Sequence, residues 1–548
     1  MSGARLPVVA LFCVALPFPG ACGLSSDDGD RSPTDPVGAT ATDRGAFVRT
    51  LDFSPFEAVI GALTPARQAE LDALTRDNDL AGLRAALAAD ELTSRELVLF
   101  YIARIRRHDG ALASVIELNP DALLEADRLD ALHAAGRNEG RLHGLPLLFK
   151  DNIATGDRLH NTAGAAVLAD HVPSRGAFVS DRLREAGALV LGKTNLSEWA
   201  YFMSSDAPSG YSALGGQVTH PFRSGLAVLG SSTGSAVASA ARFAAATLGT
   251  ETTGSIIAPA AANGVAGMRP TPGLVSADLI VPISSPLDTA GPIARHVTDL
   301  AALLTVMSAR DDTDANVALA GHLHGTDFTL GLEGTTLNGL AIGVPSITLP
   351  GEDDPARAVL ERVVESLTRA GATVQPVALS IERMKIVADG QPDLLAGSFA
   401  GDLAGYLDAA GAPVASLAEV IAFNEIDPDT LAPFGQDLLI RSRDNALEAG
   451  ARDVLAARLR GAALAAIASA TLAGGQPVDA LLSLDNTFSL IYAVAGVPAV
   501  TVPAGLDATG QPHGATFVGL VPGSDATTLG IARAFERAAP LREEPVSR

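Results

Sequence analysis

An α/β fold, with helical layers around a mostly parallel, mixed sheet, is what this chain of 548 residues predicts. Short apolar runs of strand length, Leu145–Phe149, Ala188–Leu191, Leu340–Val344 and Ala499–Val502, alternate with longer helical stretches such as Ser235–Thr247 and Val297–Met307. Alternation of that kind builds a sheet covered by helices. Hydrophobic residues make up 47% of the chain and charged residues 18%, enough apolar material for a large core and too little charge for disorder. No repeat of solenoid length is present. Length alone suggests several domains, but large α/β enzymes often form one unit, and a single catalytic domain over residues 47–548 is expected.

The amino-terminal residues read as an address. Arg5 precedes an apolar run from Leu6 to Phe18, followed by Pro19-Gly20-Ala21-Cys22, the order of a secretory signal over residues 1–22. Small residues directly before Cys22 resemble a lipoprotein cleavage site, with Cys22 as the lipid anchor; Pro19 departs from that pattern and leaves plain secretion beside it. The expected location is therefore the periplasm or cell envelope, or outside the cell. Residues 23–46 are rich in Ser, Asp, Pro, Gly and Thr without apolar period and read as a flexible tether. The two cysteines, Cys13 and Cys22, both fall in the leader, which excludes a disulfide or thiolate metal site in the catalytic domain. A formal net charge of -23 opposes binding to nucleic acid or anionic lipid.

From Pro55 to His133 the pattern is helical, with Thr93-Ser94-Arg95-Glu96 as a capping box before Leu97, Phe100, Ile102 and Ile105. Next, Gly144-Leu145-Pro146-Leu147-Leu148-Phe149-Lys150 reads as a short buried strand that delivers a lysine at its end. A desolvated amine there can lose its proton. The stretch Gly230–Ser276 crowds Gly, Ser and Thr between apolar runs, leaving backbone N–H groups uncovered for a substrate carbonyl. Asp353–Ala370 and Ser442–Ala470 look like amphipathic helices. Two readings of the serines stand open. Gly230-Ser231-Ser232-Thr233-Gly234 satisfies G-x-S-x-G, so Ser232 could be the nucleophile of an α/β-hydrolase esterase, with Leu226–Leu229 as the preceding strand. Against it, His513 is the only late histidine. His143, His160, His220 and His296 lack metal-ligand spacing.

These segments resemble the amidase signature family, on Lys150, on Gly230-Ser231-Ser232-Thr233-Gly234-Ser235 and on Thr253-Gly254-Ser255-Ile256. Further similar runs are Gly192–Ala200, Gly215–Gln217, Leu287–Arg295 and Ala495–Gly505; between Ala309 and Gly474 little is similar. The resemblance implies a large twisted mixed β-sheet sandwiched between layers of α-helices and an amide-cleaving hydrolase without cofactor or metal. It implies Ser255 as nucleophile, Ser231 behind a cis peptide bond as proton relay, Lys150 as base, and Thr252, Thr253, Gly254 and Ser255 as oxyanion hole. It also points to Tyr211 and Ser232 as substrate contacts, and to Asp288 and Arg295 as braces of the loops. Trp199 and Tyr201 are expected to pack. Lys150 must work below its usual pKa of about 10.4, so Asp151 should point away. Thr253 stands where many members have glycine, and Ile257 where many have arginine. The runs look closest to peptide amidases, implying release of ammonia from C-terminal peptide amides; aryl or fatty amides, esters and carbamates are alternatives. A partner-dependent amidotransferase-like subunit is a further one. A monomer is expected, with a dimer as the alternative.

Overall fold

In the computed structural model, which describes residues 48–314 and 316–545, eleven strands pair into one mixed sheet flanked by helices. The expected signal peptide, tether and Cys22 anchor lie outside the described residues. In chain order the strands are β1 (Val115–Leu118), β2 (Pro146–Lys150), β3 (Leu189–Thr194), β4 (Ala246–Glu251), β5 (Ala266–Arg269), β6 (Thr289–Ala294), β7 (Ala341–Pro345), β8 (Thr373–Val377), β9 (Ala480–Leu484), β10 (Ala499–Leu506) and β11 (Pro512–Val518). Their spatial order is β1-β3-β2-β4-β6-β5-β10-β11-β9-β7-β8. The middle strands are buried along their whole length, as continuous apolar runs require when both faces are covered.

The four expected strands form, the first three displaced by a residue or more at both ends and the last starting at Ala499 as expected but running on to Leu506. The parallel majority does not. Parallel pairing is confined to β2 with β3 and β4, and to β7 with β8 and β9; the other pairs are antiparallel. β10 and β11 follow each other through a short turn, and direct connections of that kind give antiparallel neighbours.

Within the helical layer over Pro55–His133, Thr93 and Glu96 form the reciprocal cap, and the helix Ser94–His108 ends on Arg106, Arg107 and His108, which complement its dipole. The same layer contains β1, which was not expected. Four residues are too short to break a helical period, and their conformation comes from antiparallel pairing with β3. Val297–Met307 is helical over the expected span. The helix expected over Ser235–Thr247 runs instead from Thr233 to Ala240; the chain turns at Arg242 (φ 56) and continues as β4. Alanine favours helix, but pairing with β2 and β6 overrides that preference. Ser442–Ala470 resolves into two helices, Asp437–Asp444 and Ala449–Ile467, while Asp353–Ala370 contains the helix Ala356–Arg369.

In the stretch with little family resemblance lies the longest helix among the described residues, Ile381–Ala410. The Ser380 hydroxyl caps its start, and Gly411 in the left-handed region (φ 66) ends it. Gln391, Ser398, Asp402, Gly405 and Tyr406 recur on it at intervals of seven, four and three or four, the spacing of one helix face.

Candidate active site

Lys150 ends β2, and its side chain is completely buried. Nζ lies 2.8 Å from Ser231 Oγ, 2.8 Å from Thr250 Oγ1 and 3.3 Å from the Thr250 carbonyl. A neutral amine has two protons and one lone pair, so it can donate twice to Thr250 and accept the Ser231 proton. Burial pulls its pKa down to about 7, partly opposed by the charges of Asp288 and Glu251. Asp151 takes no part in this. It accepts from the Thr162 hydroxyl and faces Lys193 Nζ at 3.7 Å. Lys193 is equally buried and donates to the Ile153 carbonyl (2.6 Å) and Asn161 (2.9 Å), binding segments together rather than serving the serines.

The Gly230–Ser231 peptide bond is cis. Ser231 is fully buried, and the Ser232 N–H donates to the Ser255 carbonyl at 3.0 Å, which sets the two serine loops side by side. Ser255 follows Gly254, whose φ of 85 suits glycine. Glu251 Oε2 accepts the N–H groups of Ile256 (2.8 Å) and Ile257 (3.0 Å), and Arg269 donates to the carbonyls of Glu251 (2.8 Å) and Thr252 (3.2 Å). The backbone from 251 to 257 is thereby tied on both sides, leaving Thr252–Ser255 as a turn of amides able to receive a developing oxyanion.

Asp288 braces this turn as expected: it accepts from Thr252 Oγ1 at 2.5 Å and from the N–H groups of Ile283 and Ser284. Burial pushes its carboxyl up to about 6, against these hydrogen bonds. Arg295 does not brace it. Its guanidinium binds the Thr75 and Arg76 carbonyls and Glu544, joining chain ends far from the serines in sequence. Thr253 is half-buried and accepts from Gln391 Nε2 at 3.1 Å, while Ile257 is buried in an apolar cluster with Leu287 and Phe488.

Two expected substrate contacts fare differently. Ser232 is buried, donates to the Thr250 carbonyl (3.0 Å) and accepts its N–H (3.1 Å), so its hydroxyl holds β4 and is not offered to a substrate. A Cβ at Gly249 would come within 2.8 Å of that hydroxyl, which explains the glycine in the strand. The esterase reading of Ser232 fails for the same reason. Residues 226–229 form no strand, and His513 is engaged by Asp485 (2.7 Å) and Asp507 (3.3 Å). Tyr211 stacks edge-on against Phe434 with ring centroids 4.9 Å apart. Trp199 packs against Phe399 as expected.

Sequence reasoning missed Thr250, Asn152, Glu251, Arg269 and Gln391. Asn152 Nδ2 donates to Thr250 Oγ1 at 3.0 Å, the same oxygen that meets Lys150. The hydroxyl density of Gly249–Ser255 marked this segment but not which threonine faces the lysine. Beside Thr250 and Thr252 lies a cavity of about 320 Å³, reached also by Asn152, Asp288, Asp402 and Tyr406; Tyr211 does not line it.

A model of the amidase family matches residues 96–391, over half of the chain. A protein described as a probable amidase of Arabidopsis thaliana is 34% identical over 474 residues, covering 84% of this chain and 90% of its own. A glutamyl-tRNA(Gln) amidotransferase subunit from Chloroflexus aurantiacus is 33% identical over 483 residues, 83% of this chain and 95% of its own. The X-ray structure of native peptide amidase from Stenotrophomonas maltophilia superposes with a TM-score of 0.79 at 40% identity, covering 85% of this chain and 98% of that one. The chain belongs to the amidase signature family and is a hydrolase of carbon–nitrogen bonds.

Proposed function

We propose that the enzyme is a serine amidohydrolase that removes ammonia from the C-terminal carboxamide of peptides through an acyl-enzyme. The observation that carries the reading is the 2.8 Å contact between Ser231 Oγ and a wholly buried Lys150 whose pKa is about 7. Ser255 Oγ attacks the carbonyl carbon while its proton moves to Ser231, and the Ser231 proton moves to neutral Lys150. The negative oxygen is received by N–H groups of Thr252–Ser255, each worth about 3 kcal/mol in comparable sites. The proton on Lys150 returns through Ser231 to the nitrogen, ammonia departs, and water releases the acid by the same relay. Likeness to a peptide amidase at 40% identity supports the substrate class.

A fluorophosphonate should modify Ser255, located by mass spectrometry, and the purified chain should release ammonia from a peptide amide unaided. Label on another serine would overturn the assignment. The likeness to an amidotransferase component supports a second reading, in which activity needs a partner; release of ammonia by the chain alone excludes it.

Because the relay needs Lys150 neutral, kcat/KM should rise with pH through about 7. A profile flat from about pH 5 to 9 would remove Lys150 as the base.

A further inference from the structure

The relay makes no use of the cavity next to it. The charged side chains lining that cavity are Asp278, Asp288, Asp402 and Glu251, with no Lys, Arg or His among them. Three of these carboxylates have an arginine behind them: Arg175 at 2.6 Å from Asp278, Arg452 at 2.6 Å from Asp402 and Arg269 at 3.8 Å from Glu251. Asp288 has hydrogen-bond donors but no salt bridge among the described residues. The cavity is therefore lined by four carboxylates, while the three arginines that face them are not part of its lining.

Asn152 points to the same kind of ligand. It is buried, and its Nδ2 is committed to Thr250 Oγ1 and the Val281 carbonyl. That carbonyl can only accept, which assigns the amide nitrogen to that side and leaves Oδ1 without a hydrogen bond. Buried acceptors are ordinarily satisfied, so Asn152, a residue of the cavity wall, keeps an unmet acceptor.

The long helix leaves room for it. Gly401, Gly405 and Ala409 follow one another at every fourth residue and all line the cavity. A Cβ at either glycine would meet nothing within 4 Å. Glycine weakens a helix interior relative to alanine, and crowding does not require it here.

We propose that this cavity is a subsite for a cationic side chain, so that the enzyme favours amides of lysine and arginine. The proposal rests on the peptide-amide reading, with the subsite set beside the scissile carbonyl because Thr252 borders both the cavity and the oxyanion turn.

Calorimetric titration of the Ser255→Ala protein with Nα-acetyl lysine amide and Nα-acetyl norleucine amide tests it, since the two differ chiefly in the terminal charge. The lysine compound should bind at least about tenfold more tightly at low ionic strength, with the advantage shrinking as salt is added. Asp402→Asn removes one carboxylate charge from the lining while Arg452 stays beside it, paired with Asp453 at 3.0 Å. That change should cut the advantage to about threefold or less, with norleucine amide affinity held within about twofold. Gly405→Leu, placed at an exposed helix position with open space, should abolish the advantage by filling the cavity and serves if Asp402→Asn does not fold. Equal affinities in the parent, or no binding of either compound, would overturn the subsite. Absence of hydrolysis by the unaltered enzyme would instead count against the amidase mechanism, because the titration needs no turnover.

Discussion

Replacing Ser255 with alanine is expected to lower kcat by about 10⁴-fold or more while leaving the protein folded, as loss of the nucleophile does in other serine hydrolases. The loop does not depend on the hydroxyl. It is held by Ser232 N–H on the Ser255 carbonyl, by Glu251 on two amides and by Arg269 on two carbonyls. The thermal midpoint should therefore stay within about 2 °C of the parent. Retention of more than about a tenth of the rate in purified Ser255→Ala protein would show that another residue attacks.

A comparable loss is expected from Lys150→Met, about 10³-fold or more, and the same from Ser231→Ala, with the double variant no worse than the poorer single one. In the proposed relay the two residues pass one proton in sequence across the 2.8 Å contact, so breaking either link should disable both. Methionine keeps the volume of the buried side chain. Independent contributions would multiply, and a double variant slower than either single by the product of their effects would dissolve the relay.

Stability provides a separate check on Lys150. Its folded pKa of about 7 lies below the unfolded value, so between these values the unfolded chain binds the proton and the folded one does not. Stability from this group thus rises with pH above about 7 and is lowest below it. Lys150→Met removes the burden, and its gain in thermal midpoint should be larger at about pH 6 than at pH 9. Equal shifts at both would mean that the lysine is not desolvated as the structure has it.

Much of the fold was legible because its signals are local. The Thr93–Glu96 cap, the helix Val297–Met307 and the apolar strand ending in Lys150 each reside in a few consecutive residues. What failed were segments whose conformation comes from a neighbour. The short run of β1 is a strand because it pairs with β3, and alanines after Ala240 leave the helix because β4 lies between β2 and β6. Arg295 looked like part of the signature loops by its position in sequence, yet its partners are Thr75, Arg76 and Glu544.

By itself, then, the sequence determined the family resemblance, the lysine at a strand end and the two segments that carry Ser231 and Ser255, since motif and period need only neighbouring residues. The tertiary structure alone decided that Lys150 meets Thr250, that Arg269 and Asp288 hold the turn Thr252–Ser255, and that Gln391 reaches Thr253 across 138 residues. It also decided which carboxylates border the cavity. Those contacts join distant segments, and burial, which pulls the lysine's pKa to about 7, exists only once the segments have packed.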